Sequence, residues 1–166
     1  MKFKDMPYKR VDMEAAKQEL ATIMKEVEAA KTAQEQLEVH KRYYALSERM
    51  QTQMTIASIR HSIDTSDEFY EAEKTYYDQE GPAFDNLAVQ YKKMLYASLF
   101  REEIEKVIGG PAIRNIELAS KAVSEEIIPL MQEENALVTE YEKLLASASI
   151  DWEGETLNLS TIIPYL

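Results

Sequence analysis

Along most of the chain, apolar residues return every three or four positions. Met13, Ala16, Leu20, Ile23, Val27 and Ala30 do so first, which predicts an amphipathic helix with one buried stripe. Asp12 stands in front of it as a suitable N-cap. Thr32 and Glu35 form a capping-box pair ahead of a second stripe of Val39, Tyr43, Leu46, Met50, Met54 and Ala57. Ile56, Ile59 and Ile63 widen the apolar surface near the end of that helix, so this end is expected to be the more deeply buried. A third helix is expected to start near Ser66 and to carry Phe69, Tyr70, Tyr76 and Tyr77. Gly81-Pro82 then reads as a stop and a restart, because Gly ends helices and Pro suits the first position of the next. The fourth helix would carry Phe84, Leu87, Ala88, Tyr91 and Leu95. Ser98 is placed to cap a short helix with Phe100, Ile104 and Ile108, closed by Gly109-Gly110-Pro111. Pro111 opens another, with Ile113, Ile116 and Ala119. Ser124 is placed to cap the last long helix, with Ile127, Met131, Val138, Tyr141 and Leu145 on its apolar face. Pro129 falls early enough there to bend only the first turns.

The period then changes from between three and four to two. Across 150–159 the alternation predicts a β-hairpin turning at Glu153-Gly154. Ile150, Trp152, Leu157 and Leu159 would share one face, and Ser149, Asp151, Thr156 and Asn158 the other. A lone two-stranded hairpin is marginal in water, so its apolar face is expected to pack against something. The predicted fold is all-α: an antiparallel bundle of about six or seven helices with one C-terminal hairpin. Residues 1–147 form the helical domain in this reading, and 148–166 the hairpin and the start of a connection to a further domain. The apolar ending Ile162-Ile163-Pro164-Tyr165-Leu166 carries no polar tail, which suggests a fragment cut near an element boundary.

Composition narrows the function classes. The 166 residues suffice for one domain with a real core. A net charge of −11 argues against nucleic acid and against docking on an anionic membrane. Without cysteine there are no disulfides or thiolate metal sites, which fits a cytoplasmic protein. Neither an apolar leader nor a run of about 18 apolar residues occurs, so the sequence predicts neither signal peptide nor membrane span. The two histidines, His40 and His61, fit neither a His-Glu-x-x-His zinc helix nor a Glu-x-x-His di-iron motif. No catalytic, cofactor-binding or metal-ligating residue is assigned.

One polar cluster stands out. Arg60, His61 and Asp64 lie within one turn of each other beside the isoleucine stripe, and Thr65 with Glu68 has the capping-box spacing. A structural role is expected for Arg60, His61, Asp64 and Glu68: a polar hinge between two helices. Asp64 would be the shared acceptor for Arg60 and His61, so that its loss strands a buried cation at high cost.

The block Ile59-Arg60-His61-Ser62-Ile63-Asp64-Thr65-Ser66-Asp67-Glu68-Phe69-Tyr70 closely resembles a signature of oligoendopeptidase F-type enzymes of the M3 metallopeptidase family. The opening Met1-Lys2-Phe3-Lys4-Asp5-Met6-Pro7-Tyr8 and the stretch from Gln132 through Ala148 into the hairpin are similar to the same family. Ser98-Leu99-Phe100-Arg101 departs from it, the family often having proline at the second position, and so does Gly109-Gly110-Pro111. The resemblance implies the N-terminal region of a zinc metallopeptidase that cleaves oligopeptides, with its zinc ligands and general base in a catalytic domain outside this chain. It implies that the helical part walls a channel that admits unstructured peptides and excludes folded proteins. The partners would be that catalytic domain and the oligopeptides, and the fragment alone would be inactive. The competing class is a non-enzymatic acidic helical module that binds a partner protein. Oligomeric state, a homo-oligomer included, stays open.

Overall fold

A computed structural model describes residues 3–119 and 125–166. Among the described residues six α-helices run in order: α1 Met13–Ala29, α2 Ala33–Ile63, α3 Glu68–Tyr96, α4 Arg101–Ile108, α5 Gly110–Ala119 and α6 Ile128–Ala146. Strands β1 Ile150–Trp152 and β2 Glu155–Leu157 follow. The all-α bundle with a closing hairpin is therefore the observed architecture. Among the described residues, no helix is long and apolar enough to cross a membrane.

The core lies where α1, α2 and α3 meet. Asp12 caps α1 by accepting from the Ala15 amide at 2.9 Å, and Met13, Ala16, Leu20, Ile23 and Val27 are buried. Helix α2 has 31 residues, about 46 Å at 1.5 Å per residue. Thr32 caps it through the Glu35 amide at 3.2 Å, and it contributes Tyr43, Leu46, Met50 and Ala57. Helix α3 adds Tyr77, Phe84, Ala88 and Tyr91. A second apolar cluster joins Leu95 to Ile104, Ile113 and Ile116, and so fixes α4 and α5 against the end of α3. Gln36 stitches the two clusters. Its amide donates to the Val27 carbonyl at 3.0 Å and accepts from the Ser98 hydroxyl at 2.6 Å.

Three expectations change. Gly81-Pro82 does not divide two helices: α3 runs through it, with Pro82 inside. Proline at 82 leaves the Asp78 carbonyl without its usual donor one turn later. Helix α6 supplies the replacement: Asn135 Nδ2 donates to the Asp78 carbonyl at 3.2 Å, and Gln132 Nε2 to the Gln79 carbonyl at 2.6 Å. The end of α2 is not buried all round, since Ile63 is 73% exposed and Ile59 also faces outward. The apolar face foreseen for α6 is largely uncovered too, with Val138, Tyr141 and Leu145 exposed. The Ser124 cap falls outside the described residues, while Pro129 stands in the first turn of α6, where it is tolerated.

The hairpin forms in the expected register, with Ile150 opposite Leu157, Asp151 opposite Thr156 and Trp152 opposite Glu155. Glu153 and Gly154 both have positive φ, 50° and 88°, as a two-residue turn matched to strand twist requires. Leu157 is buried, whereas Trp152 is 41% exposed.

Candidate functional site

The turn between α2 and α3 is built from short acidic and hydroxyl side chains that satisfy its own backbone. Asp64 ends α2, its amide donating to the Arg60 carbonyl at 3.2 Å. Its Oδ1 accepts from the Ser66 amide at 3.0 Å and the Ser66 hydroxyl at 2.6 Å. These bonds hold the exposed Asp64 carboxyl below its ordinary range. Asp67 starts α3 by accepting from the Phe69 and Tyr70 amides at 2.9 and 3.2 Å. The Thr65–Glu68 capping box is therefore not used. With Asp67 as N-cap, Glu68 is the first helical residue rather than the third, and cannot reach back.

The polar cluster separates into parts. Arg60 turns away from Asp64. Its Nη2 donates to the Met6 carbonyl at 2.7 Å, and Nη1 donates to the Tyr70 hydroxyl. The guanidinium lies over the Tyr70 and Phe3 rings, 5.3 and 5.9 Å from their centroids. Arg60 thus ties the N-terminal segment to the α2–α3 junction. His61 has no exposed surface, and among the described residues neither ring nitrogen has a hydrogen-bond partner. Glu68 is exposed at the helix start. Asp64 is not the shared acceptor expected from the spacing. A short carboxylate at a helix end finds the donors of its own turn before those of side chains one turn back.

This turn forms one wall of a cleft of about 620 Å³, lined by Ser62 through Ser66, by Leu145 through Ser147 at the end of α6, and by Asn158 through Ser160 after β2. Asn158 Oδ1 shapes the last wall, accepting from the Ser160 and Thr161 amides at 3.0 and 2.9 Å. Serine and threonine hydroxyls with one carboxylate can hydrogen-bond a polar chain. The lining holds no histidine, and its one carboxylate, Asp64, already accepts from the Ser66 amide and hydroxyl. Among the described residues, no three His, Asp or Glu side chains converge as a metal centre needs. The described residues do not fit a zinc site.

A second polar site was not foreseen in the sequence. Glu73 on α3 is only 3% exposed. Arg10 Nε donates to its Oε1 and Oε2, each at 2.9 Å, and the Tyr8 hydroxyl donates to Oε2. Arg10, foremost, holds the Glu73 carboxyl below the usual range against the opposing effect of burial. Around it, the Val11 and Met13 amides donate to the Tyr77 and Tyr76 hydroxyls, both at 3.0 Å, and Tyr76 donates to the Val11 carbonyl at 3.1 Å. The signal was a carboxylate four residues before Tyr77, in line with the buried stripe of α3.

A family model, the peptidase M3 N-terminal domain, matches residues 3–123. Among solved structures, one described as PZ peptidase A with inhibitor 2 is similar, with 35% identity and a TM-score of 0.96. The likeness covers 99% of this chain and 29% of that one. Another, described as an oligoendopeptidase F from Bacillus anthracis strain Ames, has 36% identity and a TM-score of 0.95, over 99% of this chain and 30% of its own. The chain thus spans about three-tenths of the length of the solved structures it matches. A search of curated proteins matched none.

Proposed function

Since the chain belongs to the peptidase M3 N-terminal domain family, we propose that it is the helical, channel-forming portion of a zinc metalloendopeptidase that cleaves oligopeptides in the cytoplasm. The observation that carries the reading is the match along 99% of the chain to a structure described as an oligoendopeptidase F. Zinc and the groups that act with it are assigned to the catalytic portion, most of which lies outside these residues. Zinc held there would supply a Lewis acid for the scissile carbonyl and for an attacking water. The part left to this chain is shape: a rigid bundle beside the catalytic portion that admits extended peptides and turns folded proteins away.

The test joins these 166 residues to the remaining seven-tenths of the Bacillus anthracis protein. The chimera is expected to cut a quenched fluorescent oligopeptide in a chelator-sensitive way and to spare a folded protein. The chain alone is expected to keep no stoichiometric zinc after dialysis and to cut nothing. A folded, zinc-loaded chimera without cleavage overturns the reading. So does chelator-sensitive turnover by the chain alone that survives repurification.

A further inference from the structure

Helix α6 has two faces of opposite character. The face on α3 is polar. Thr139 Oγ1 donates to Asp78 Oδ2 at 2.8 Å and accepts from Lys74 Nζ at 3.0 Å. Asn135 and Gln132 reach the carbonyls around Pro82, and Lys143 pairs with Glu71. The opposite face carries Leu130, Leu137, Val138, Tyr141 and Leu144, each between 46% and 68% exposed. Leu130, Leu137 and Leu144 are seven residues apart and so fall on nearly one line of the helix. Four of these residues form a shallow apolar groove flanked by Glu133 and Glu134. A helix of a finished domain turns its apolar side inward; α6 turns its polar side inward.

The comparisons add two independent facts. The N-terminal family model stops at residue 123, before α6 begins. The solved structures that match nearly all of this chain have about seven-tenths of their length outside the match. Interfaces between domains of one chain are more polar than cores, as the α3–α6 seam is.

We propose that the domain boundary lies between α5 and α6, that α6 belongs to the catalytic portion, and that its outer stripe is covered by the polypeptide of that portion. This rests on the function proposed above. The covering segment is apolar, with a cation placed to meet Glu133 and Glu134.

The test uses 8-anilinonaphthalene sulfonate, which lights up on exposed apolar surface, and the double variant L137K/Y141K. In the 166-residue chain the dye binds, and the variant lowers its fluorescence by about threefold or more while leaving the melting temperature in place. In the chimera the dye signal disappears, and α6 amides exchange about a hundredfold more slowly than in the chain alone. The same protection is expected for the matching helix of the intact Bacillus anthracis protein, which needs no chimera. Amides of that helix as unprotected in the intact protein as in the isolated chain overturn the proposal. A dimer of the 166-residue chain that L137K/Y141K dissolves also overturns it, giving the stripe to a second copy. Cleavage with α6 still uncovered spares the functional reading and sinks the interface. A covered α6 without cleavage does the reverse.

Discussion

Helix α3 is held on two sides by different forces. Toward α1 and α2 it presents Tyr77, Phe84, Ala88 and Tyr91, which meet Leu20, Ile23, Leu46 and Met50 in a core from which water is excluded. Toward α6 it presents Lys74, Asp78 and the carbonyls of Asp78 and Gln79, each matched by a polar partner. The first seam gains from removing apolar area from water, at about 25 cal/mol per Å². The second exchanges bonds to water for bonds to protein, a net gain of only about 0.5–1.5 kcal/mol each. Seams of the first kind set the stability of a domain. Seams of the second kind set where a neighbour sits, and open at lower cost because water can take over the partners.

Substitutions should rank accordingly. Leu20→Ala cuts into the apolar seam at a residue with no exposed surface. It is expected to cost about 2–5 kcal/mol in a denaturant titration. A loss under 1 kcal/mol would mean that the three-helix core is not what holds the chain.

Glu73→Gln is expected to cost about 2–3 kcal/mol at pH 7. That is below the ~3–5 kcal/mol of a fully buried pair, because Arg10 is half exposed. The sign with pH follows from the direction of the shift. The folded-state carboxyl titrates below its unfolded value. Its contribution is therefore present above the usual carboxylate range and is lost as pH falls through the lowered value. The gap between wild type and E73Q should close in that acid window. A gap that is constant with pH would remove the ion pair from the account.

Asn135→Ala leaves the Asp78 carbonyl without its substitute donor and is expected to cost about 1–2 kcal/mol. The effect should be local, speeding amide exchange in α6 and around Pro82 more than in α1. Uniform destabilisation of all helices would mean that the polar seam is part of the core. Asp64→Asn is the smallest change. The exposed side chain accepts from Ser66, and an asparagine oxygen can do the same with neutral rather than charge-assisted bonds, so the melting temperature should fall only slightly. A large drop would restore Asp64 as the acceptor for Arg60.

The contrast between seams also explains what was legible in the sequence. Periodicity located α1 with its Asp12 cap, the Thr32 start of α2, the Gly109–Pro111 break between α4 and α5, and the hairpin turn at Glu153-Gly154. Each of these rests on neighbours within a few positions. Gly81-Pro82 misled because the donors that make proline tolerable, Asn135 and Gln132, lie more than 50 residues away. Thr65 and Glu68 misled because Asp67 competes for the same cap and wins. The parting of Arg60 from Asp64 depends on Met6 and Tyr70, which one-turn spacing cannot reveal. The exposed Ile59 and Ile63 and the uncovered face of α6 follow a helical pattern that says a stripe is apolar but not which surface meets it.

The central claim is that α6 is joined to the bundle by a seam independent of the core. Native-state hydrogen exchange on the isolated chain, as wild type and as L20A, tests it directly. Amides of α1, α2 and α3 are expected to exchange with the free energy of global unfolding and to lose protection in L20A by the full amount of the destabilisation. Amides of α6 are expected to exchange through a smaller local opening that L20A leaves unchanged. If α6 loses protection in step with α1, the two seams open together, and the division of the molecule at α3 is wrong.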